Sequence, residues 1–315
     1  MTKILVLGGG PAGYVAAGRA AQLGAEVTVV EAREIGGTCL NRGCIPTKAM
    51  VAGAARLYDA RRAAEYGVKV GDVGLDFAAF MARKDAVTAQ LRDGVAHLLK
   101  ARKVQVVAGL ATLAGPGRLS LAPGAILPDG SVLEEGGEAE GDAVILASGS
   151  APVRMGIFDW NDPRVMTSDE LLTIDHVPES LLIVGGGVIG CEFASVFDRL
   201  GSHVTVVEML DQLLPGEDKR TGRTLQQAFK KAGIDVFVKT AVEAAVSSVP
   251  PSRASMSRSP PCASTAIPRR CATETPTGSC AWSACRAAAA CSAPASSGRT
   301  SPSSSTSSRW RPIRA

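Results

Sequence analysis

The chain has 315 residues, enough for two domains with separate cores, and 46% of them are hydrophobic while only 4% are aromatic. No run reaches the ~18 apolar residues that a helical membrane span requires. The formal charge of +4 comes from one end: nine arginines, no lysine and a single acid follow residue 246, leaving 25 basic and 29 acidic side chains in residues 1–246, so the basicity gives no nucleic-acid face to the folded part.

The first apolar run, residues 4–7, stops at glycines with no small-residue cleavage site behind it. It reads as a buried strand, not a secretory leader, and the chain as cytoplasmic. Residues 4–31 are ILVLGGGPAGYVAAGRAAQLGAEVTVVE, and residues 181–208 repeat the pattern as LLIVGGGVIGCEFASVFDRLGSHVTVVE, without a gap at a constant offset of 177. Each copy is an apolar run, a G-x-G-x-x-G turn, a helix-forming segment and a β-branched run closed by Glu: strand, turn, helix, parallel strand. Gly8 and Gly185 allow the turn, Gly10 and Gly187 let a pyrophosphate approach the helix N-terminus, and Gly13 and Gly190 let helix and strand pack closely. Glu31 and Glu208 stand where a carboxylate can accept hydrogen bonds from ribose hydroxyls, and Glu208 would repel a 2′-phosphate, so the second unit is expected to prefer NAD to NADP. One such turn is weak support for a site; two, each with strand, helix and terminal acid, point to electron transfer between two dinucleotides.

Between the copies, residues 36–48 read GGTCLNRGCIPTK. Cys39 and Cys44 stand five apart, with Gly43 between them, Pro46 beyond and Lys48 near. A helix N-terminus and a nearby Lys would lower the pKa of such thiols. A disulfide closing so short a loop adds little stability, so reducibility is the better reason for the pair. The body holds only one further cysteine, Cys191, as befits a reducing compartment. Two unpaired buried cysteines are the plain alternative.

The segment 36–48 resembles the active-site signature of the pyridine nucleotide–disulfide oxidoreductases. Leu40, Ile45 and Thr47 bring it closer to the dihydrolipoamide dehydrogenase branch than to glutathione or mercuric reductases, and the C-x4-C spacing in the first unit differs from the C-x-x-C of low-mass thioredoxin reductases. The resemblance covers about residues 1–246. It implies an α/β fold of two Rossmann-like domains, FAD-binding over 1–150 and NAD-binding over 151–246. It places FAD on Gly8, Gly10, Gly13 and Glu31, with Gly36, Gly37, Thr38 and Cys39 lining the flavin, Lys48 at its reactive edge paired with Glu192, and further contacts at Ala111 and Ser148-Gly149-Ser150. NAD would lie on Gly185, Gly187, Gly190, Glu208 and Val242. It further implies Cys39 as interchange thiol, Cys44 as the thiolate against the flavin, a lipoyl-bearing carrier protein of a 2-oxoacid dehydrogenase complex as partner, and a homodimer. Other disulfide reductases of the family, or a non-catalytic nucleotide-binding remnant, are the alternatives.

Residues 225–246 read as a helix and a strand, after which the pattern breaks. Residues 247–315 are rich in Ser, Pro, Ala and Arg, keep neither a 2.0 nor a 3.6 period, and are expected to be disordered. Three readings stay open: a basic arm, a metal site, and an out-of-frame translation of a GC-rich gene. Cys262, Cys271, Cys280, Cys285 and Cys291 include no C-x-x-C, and no histidine follows His203, against metal; the frame reading explains why Arg replaces Lys while Cys accumulates. The A-x-G-D segment, His–Glu base and interface domain of the resembling family are not found in the sequence. His97, His176 and His203 fit no catalytic motif.

Overall fold

The computed structural model describes residues 1–242 and the strand Arg286–Ala288. The first unit opens as β1 (Lys3–Leu7), α1 (Pro11–Gln22) and β2 (Glu26–Glu31); then come α2 (Gly37–Arg42), α3 (Cys44–Arg61) and the long α4 (Phe77–Ala101). Short strands follow: β3 (Gln105–Ala108), β4 (Ala111–Gly115), β5 (Arg118–Leu121), β6 (Ala125–Ile126), β7 (Val132–Leu133), β8 (Gly137–Glu140) and β9 (Ala143–Leu146). The second unit has β10 (Val165–Met166), α5 (Ser168–Leu171), β11 (Ser180–Val184), α6 (Val188–Leu200), β12 (His203–Val207), α7 (Lys219–Ala232) and β13 (Asp235–Phe237), with β14 (Arg286–Ala288) from the tail.

The strand–helix–strand repeat is carried into three dimensions residue by residue. β1 pairs parallel with β2 from Lys3↔Glu26, and β11 with β12 from Ser180↔His203, each partner displaced by the same 177 positions. Alternation along these strands divides the first core. Val6, Val27 and Val29 face α1 and α4 together with Leu99, while Leu5, Val30 and Val107 face the other way onto Leu119 and Leu121. That second layer is an antiparallel sheet, β4-β5-β8, whose presence the glycine-rich repeat does not announce. The first sheet runs β7-β6-β3-β2-β1-β9 and the second β10-β14-β11-β12-β13.

A third cluster joins the units. Met50, Ala54, Leu57 and Met81 from α3 and α4 pack in one core with Leu171, Leu172, Leu181, Ile183, Phe193 and Phe197 from the second unit. The predicted helix and strand after residue 225 appear as the end of α7 and β13. Val242 is the last described residue before the tail. One piece of the tail departs from the expected absence of regular structure. β14 runs parallel between β10 and β11, with Leu181↔Arg286 and Val165↔Ala287 in register. The cause is backbone demand, since the carbonyls and amides of β11 on that side need partners. The rest of the expected disordered segment, and the tail cysteines, lie outside the described residues. Among the described residues no helix is long and apolar enough to cross a membrane, and no group of His, Cys, Asp and Glu is arranged to hold a metal ion.

Candidate functional site

Both glycine turns are built to one plan. Gly8 and Gly185 take left-handed backbone at φ +105° and +113°, and their amides donate to Val30 O and Val207 O at 2.8 Å. A Cβ at Gly13 would overlap the Gly8 carbonyl, and one at Gly190 the Gly185 carbonyl, so these glycines let the helix lie on the strand as the sequence indicates. α1 and α6 start at Gly10 and Gly187 with no side-chain cap.

The terminal acids do something the sequence did not indicate. Glu31 accepts from Gly9 N at 2.6 Å and Arg33 N at 2.8 Å; Glu208 accepts from Gly186 N at 2.7 Å and Leu210 N at 2.8 Å. Each carboxylate therefore ties its own glycine turn to the strand end, and Glu208 is only 5% exposed. A ribose hydroxyl at either acid would share oxygens already engaged by amides. The turns are fastened a second time by downstream chain. Gly36 N donates to Gly9 O at 2.9 Å and Leu214 N to Gly186 O at 2.7 Å, while Ile35 and Leu213 close over Gly9 and Gly186. Sequence identity has ended there, and the second connection is one residue longer, so the alignment gave no sign of it.

At the first turn this fastening delivers the cysteines. Gly36 and Gly37 adopt φ +98° and +58°, and Gly37 lies so close to Gly10 that no Cβ fits between them. Thr38 and Cys39 follow within α2. Asn41 staples the approach: its Nδ2 donates to Ile35 O and Gly37 O at 3.0 Å each, and to Glu34 O at 3.4 Å. Arg42 pairs with Glu34 alongside. Gly43 then separates two helices, and a Cβ there would press on Thr38 O and the Cys39 Cα, so its absence brings Cys44, the first residue of α3, back against Cys39.

Cys39 and Cys44 are adjacent free thiols, Cys39 half-buried and Cys44 exposed. Burial pushes the Cys39 thiol above its ordinary range, the neighbouring Cys44 adds to this, and Lys48 pulls weakly the other way. The expectation of a lowered pKa thus fails at Cys39, because desolvation outweighs a lysine that is largely turned to solvent. Lys48, one turn into α3, forms an ion pair with Glu192 of α6, as the resemblance implies. Cys191, beside it, is a buried thiol that donates to Gly186 O at 3.3 Å and is pushed up to about 12, chiefly by burial.

The remaining residues fall into place unevenly. Ala147 and Ser148, leaving β9, abut Gly8, so Ser148-Gly149-Ser150 starts at the first glycine turn. Gly109 N donates to Glu31 O at 2.8 Å, which brings the next strand past the same end of the sheet, but the Ala111 methyl is in the core with Leu119 and Leu121. His97 is exposed on α4, His176 pairs with Asp175 and His203 with Asp235; the described residues bring no histidine to the cysteines. A cavity of about 400 Å³ lies between the first sheet and the antiparallel one, lined by Lys3, Leu5, Glu26 and Leu133. It opens at the starts of the strands, opposite the glycine turns, and takes no part in the site.

The family model for the pyridine nucleotide-disulphide oxidoreductases matches residues 2–250. The chain belongs to that family. It is 42% identical over 231 residues to a dihydrolipoyl dehydrogenase of Bacillus subtilis, an alignment covering 73% of this chain and 49% of that protein. Among solved structures, LpdA from Mycobacterium tuberculosis superposes with a TM-score of 0.66 at 31% identity, covering 76% of this chain and 51% of the other. The HOCl-induced flavoprotein disulfide reductase RclA from Escherichia coli superposes with a TM-score of 0.63 at 29% identity, covering 77% and 50%. The chain spans about half the length of the curated relatives it matches first. Dihydrolipoyl dehydrogenases use FAD and NAD(H), and the residues here fit a dinucleotide: a glycine cradle with no room for a Cβ, opening on an uncapped helix N-terminus, occurs at both turns.

Proposed function

We propose that this chain carries the dithiol–flavin–nicotinamide relay of a dihydrolipoyl dehydrogenase, with residues 1–150 holding FAD and residues 151–246 holding NAD. The observation that carries the reading is the packing of the cysteine segment on the mouth of the first glycine turn, Gly37 against Gly10 and Gly36 N–H on Gly9 O. Bound FAD would take an electron pair from the cysteine dithiol and pass it as hydride to NAD.

The protein's own part is thiol exchange. With the pair oxidised, one thiolate of a dihydrolipoyl group attacks Cys39 Sγ, and the Cys39–Cys44 bond breaks with its electron pair on Cys44. The second substrate thiolate then displaces Cys39, closing the lipoyl disulfide and leaving Cys39 as the thiol. Cys44, at the start of the 18-residue α3, meets the positive end of that helix, where an anionic sulfur is stabilised. Lys48 and Glu192 bring a charge pair from both units to the same place. Cys39 is displaced as a thiolate and takes up a proton, the form its burial favours. With no histidine beside the cysteines among the described residues, the dihydrolipoyl thiols give their protons to solvent, so the exchange speeds up as pH rises toward the thiol range.

In this reading a lipoyl-bearing carrier protein of a 2-oxoacid dehydrogenase complex is the partner, the assembly is a homodimer and the compartment is the reducing cytoplasm. Glu208 favours NAD over NADP. The likeness to RclA supports a second reading, reduction of a different disulfide by the same relay. The test is purification of the full chain with FAD, followed by NADH-dependent reduction of lipoamide and of glutathione disulfide. The reading expects yellow protein and preference for lipoamide; preference for glutathione disulfide favours the second reading, and colourless protein that takes up no FAD contradicts both.

A further inference from the structure

Three cationic side chains of the first unit reach across to acceptors of the second. Lys48 of α3 meets Glu192 of α6, Arg61 Nη1 of α3 donates to Arg199 O at 3.0 Å, and Lys84 Nζ of α4 donates to Leu172 O at 2.7 Å. The first two are open to solvent. Lys84 is not: it is 5% exposed, and Lys84 and Glu208 are the buried charged residues among those described. Burying an ammonium is costly unless its donors are used. On this face of α4 the neighbours one turn away are Met81 and Thr88, both buried, so a Leu or Met at 84 would pack without that cost. The ammonium has two partners, the Leu172 carbonyl and Asp85 Oδ1 at 2.6 Å on its exposed side.

Leu172 closes α5, and with Leu171 it sits in the core shared by the units, against the cluster that holds Met50, Leu57 and Met81. α3 packs on α4 along one side and on α6 along the other. Lys84 therefore ties α4 directly to the second unit, while α3 packs on α4 and on α6 of that same unit. α3 begins with Cys44 and carries Lys48.

We propose that Lys84 is a positioning residue: its bond to Leu172 O sets α3 against the second unit, and so fixes Lys48 on Glu192 beside the cysteine pair. The proposal deepens the redox reading and rests on it for the meaning of the pair, but its test needs no flavin. The reporter is the pH dependence of Cys39 alkylation by iodoacetamide, followed peptide by peptide by mass spectrometry in the full chain; the groups facing this thiol are Cys44 and Lys48. Glu192→Gln removes the counter-charge of Lys48, strengthens its field at Cys39 and lowers the alkylation midpoint. Lys84→Met, which keeps volume but loses the bond, is expected to lower it in the same direction, by about half a pH unit or roughly 3-fold in rate below the midpoint. Lys84→Arg, which keeps the cation and its donors, should restore the parent midpoint. In the Glu192→Gln chain, Lys84→Met should add nothing, since both act through one pair.

A purely structural Lys84 gives a different pattern: thermal stability falls, the Cys39 midpoint stays, and the effects of the two substitutions on stability add. That pattern overturns the proposal. If Lys84→Met does not fold, Lys84→Gln, which retains a neutral donor, takes its place with the same expectations at smaller size. A midpoint unmoved in Lys84→Gln, or moved equally with and without Glu192, overturns it as well. Failure of the chain to take up FAD, with the alkylation pattern intact, would count against the redox reading and leave the positioning role standing.

Discussion

Cys39 and Cys44 are five positions apart, yet one lies half-buried within α2 and the other at the exposed start of α3. Burial holds the proton on Cys39, so its alkylation midpoint is expected above the ~8.5 of a free thiol, and Lys48→Met, by removing the one cation that favours the thiolate, should raise it further. Equal midpoints for Cys39 in the parent and Lys48→Met chains would contradict this electrostatic account. Cys191 gives a stability signature. Its folded pKa is raised to about 12, so in the range from about pH 8.5 upward the unfolded chain releases a proton that the folded chain keeps, and stability falls as pH rises. Urea midpoints at about pH 8 and about pH 10 should therefore draw apart more in the parent than in Cys191→Ala. Gly13→Ala would drive a methyl into the Gly8 carbonyl and should cost about 3 kcal/mol in thermal or urea unfolding. The role of Gly13 was legible in the sequence because the spacing G-x-G-x-x-G encodes it. The roles of Asn41, Ile35 and Lys84 were not, since each depends on what stands opposite in space: carbonyls of a loop, the α-carbon of Gly9, the end of a helix 88 residues away in sequence.

Helix beginnings divide into two kinds. α4, α5 and α7 are closed by Asp76, Thr167 and Asp218, each accepting a backbone amide of its first turn. α1 and α6 at the glycine turns, and α2 and α3 at the cysteines, have no side-chain cap. The helices left uncapped are those that begin at the two glycine turns and at the cysteine pair, which is where an anion can take the place of a cap. Asp76→Ala should therefore cost about 1 kcal/mol of stability whether or not nucleotide is present, read as a drop in melting temperature. FAD or ADP should instead raise the melting temperature through α1, an effect that Gly10→Asp, with a carboxylate at the cap, should abolish. The strand–helix–strand units were readable because their hydrophobic periods and glycines are local. The β4-β5-β8 sheet escaped the reading because its strands are short and interrupted by Gly and Pro, so no run is long enough to show a period.

Across the whole molecule, the two units share a core between α3, α4, α6 and β11, and α3 within it is the helix that begins at Cys44. The relatives matched first are about twice the matched length, and the chain's residues 2–250 account for the family likeness. β14, the described piece of the remaining sequence, shows that the second sheet recruits a strand at β11 even from a segment composed of Arg and Ala. The central claim is that the cysteine pair trades electrons with a flavin seated on the first glycine turn. Its most direct test is an anaerobic titration of the FAD-loaded, oxidised full chain with one equivalent of NADH, counting new thiols at Cys39 and Cys44 by alkylation. The account predicts that both thiols appear together and that Cys44→Ser abolishes the pairwise gain. Flavin that bleaches while Cys39 and Cys44 stay unreactive would contradict it.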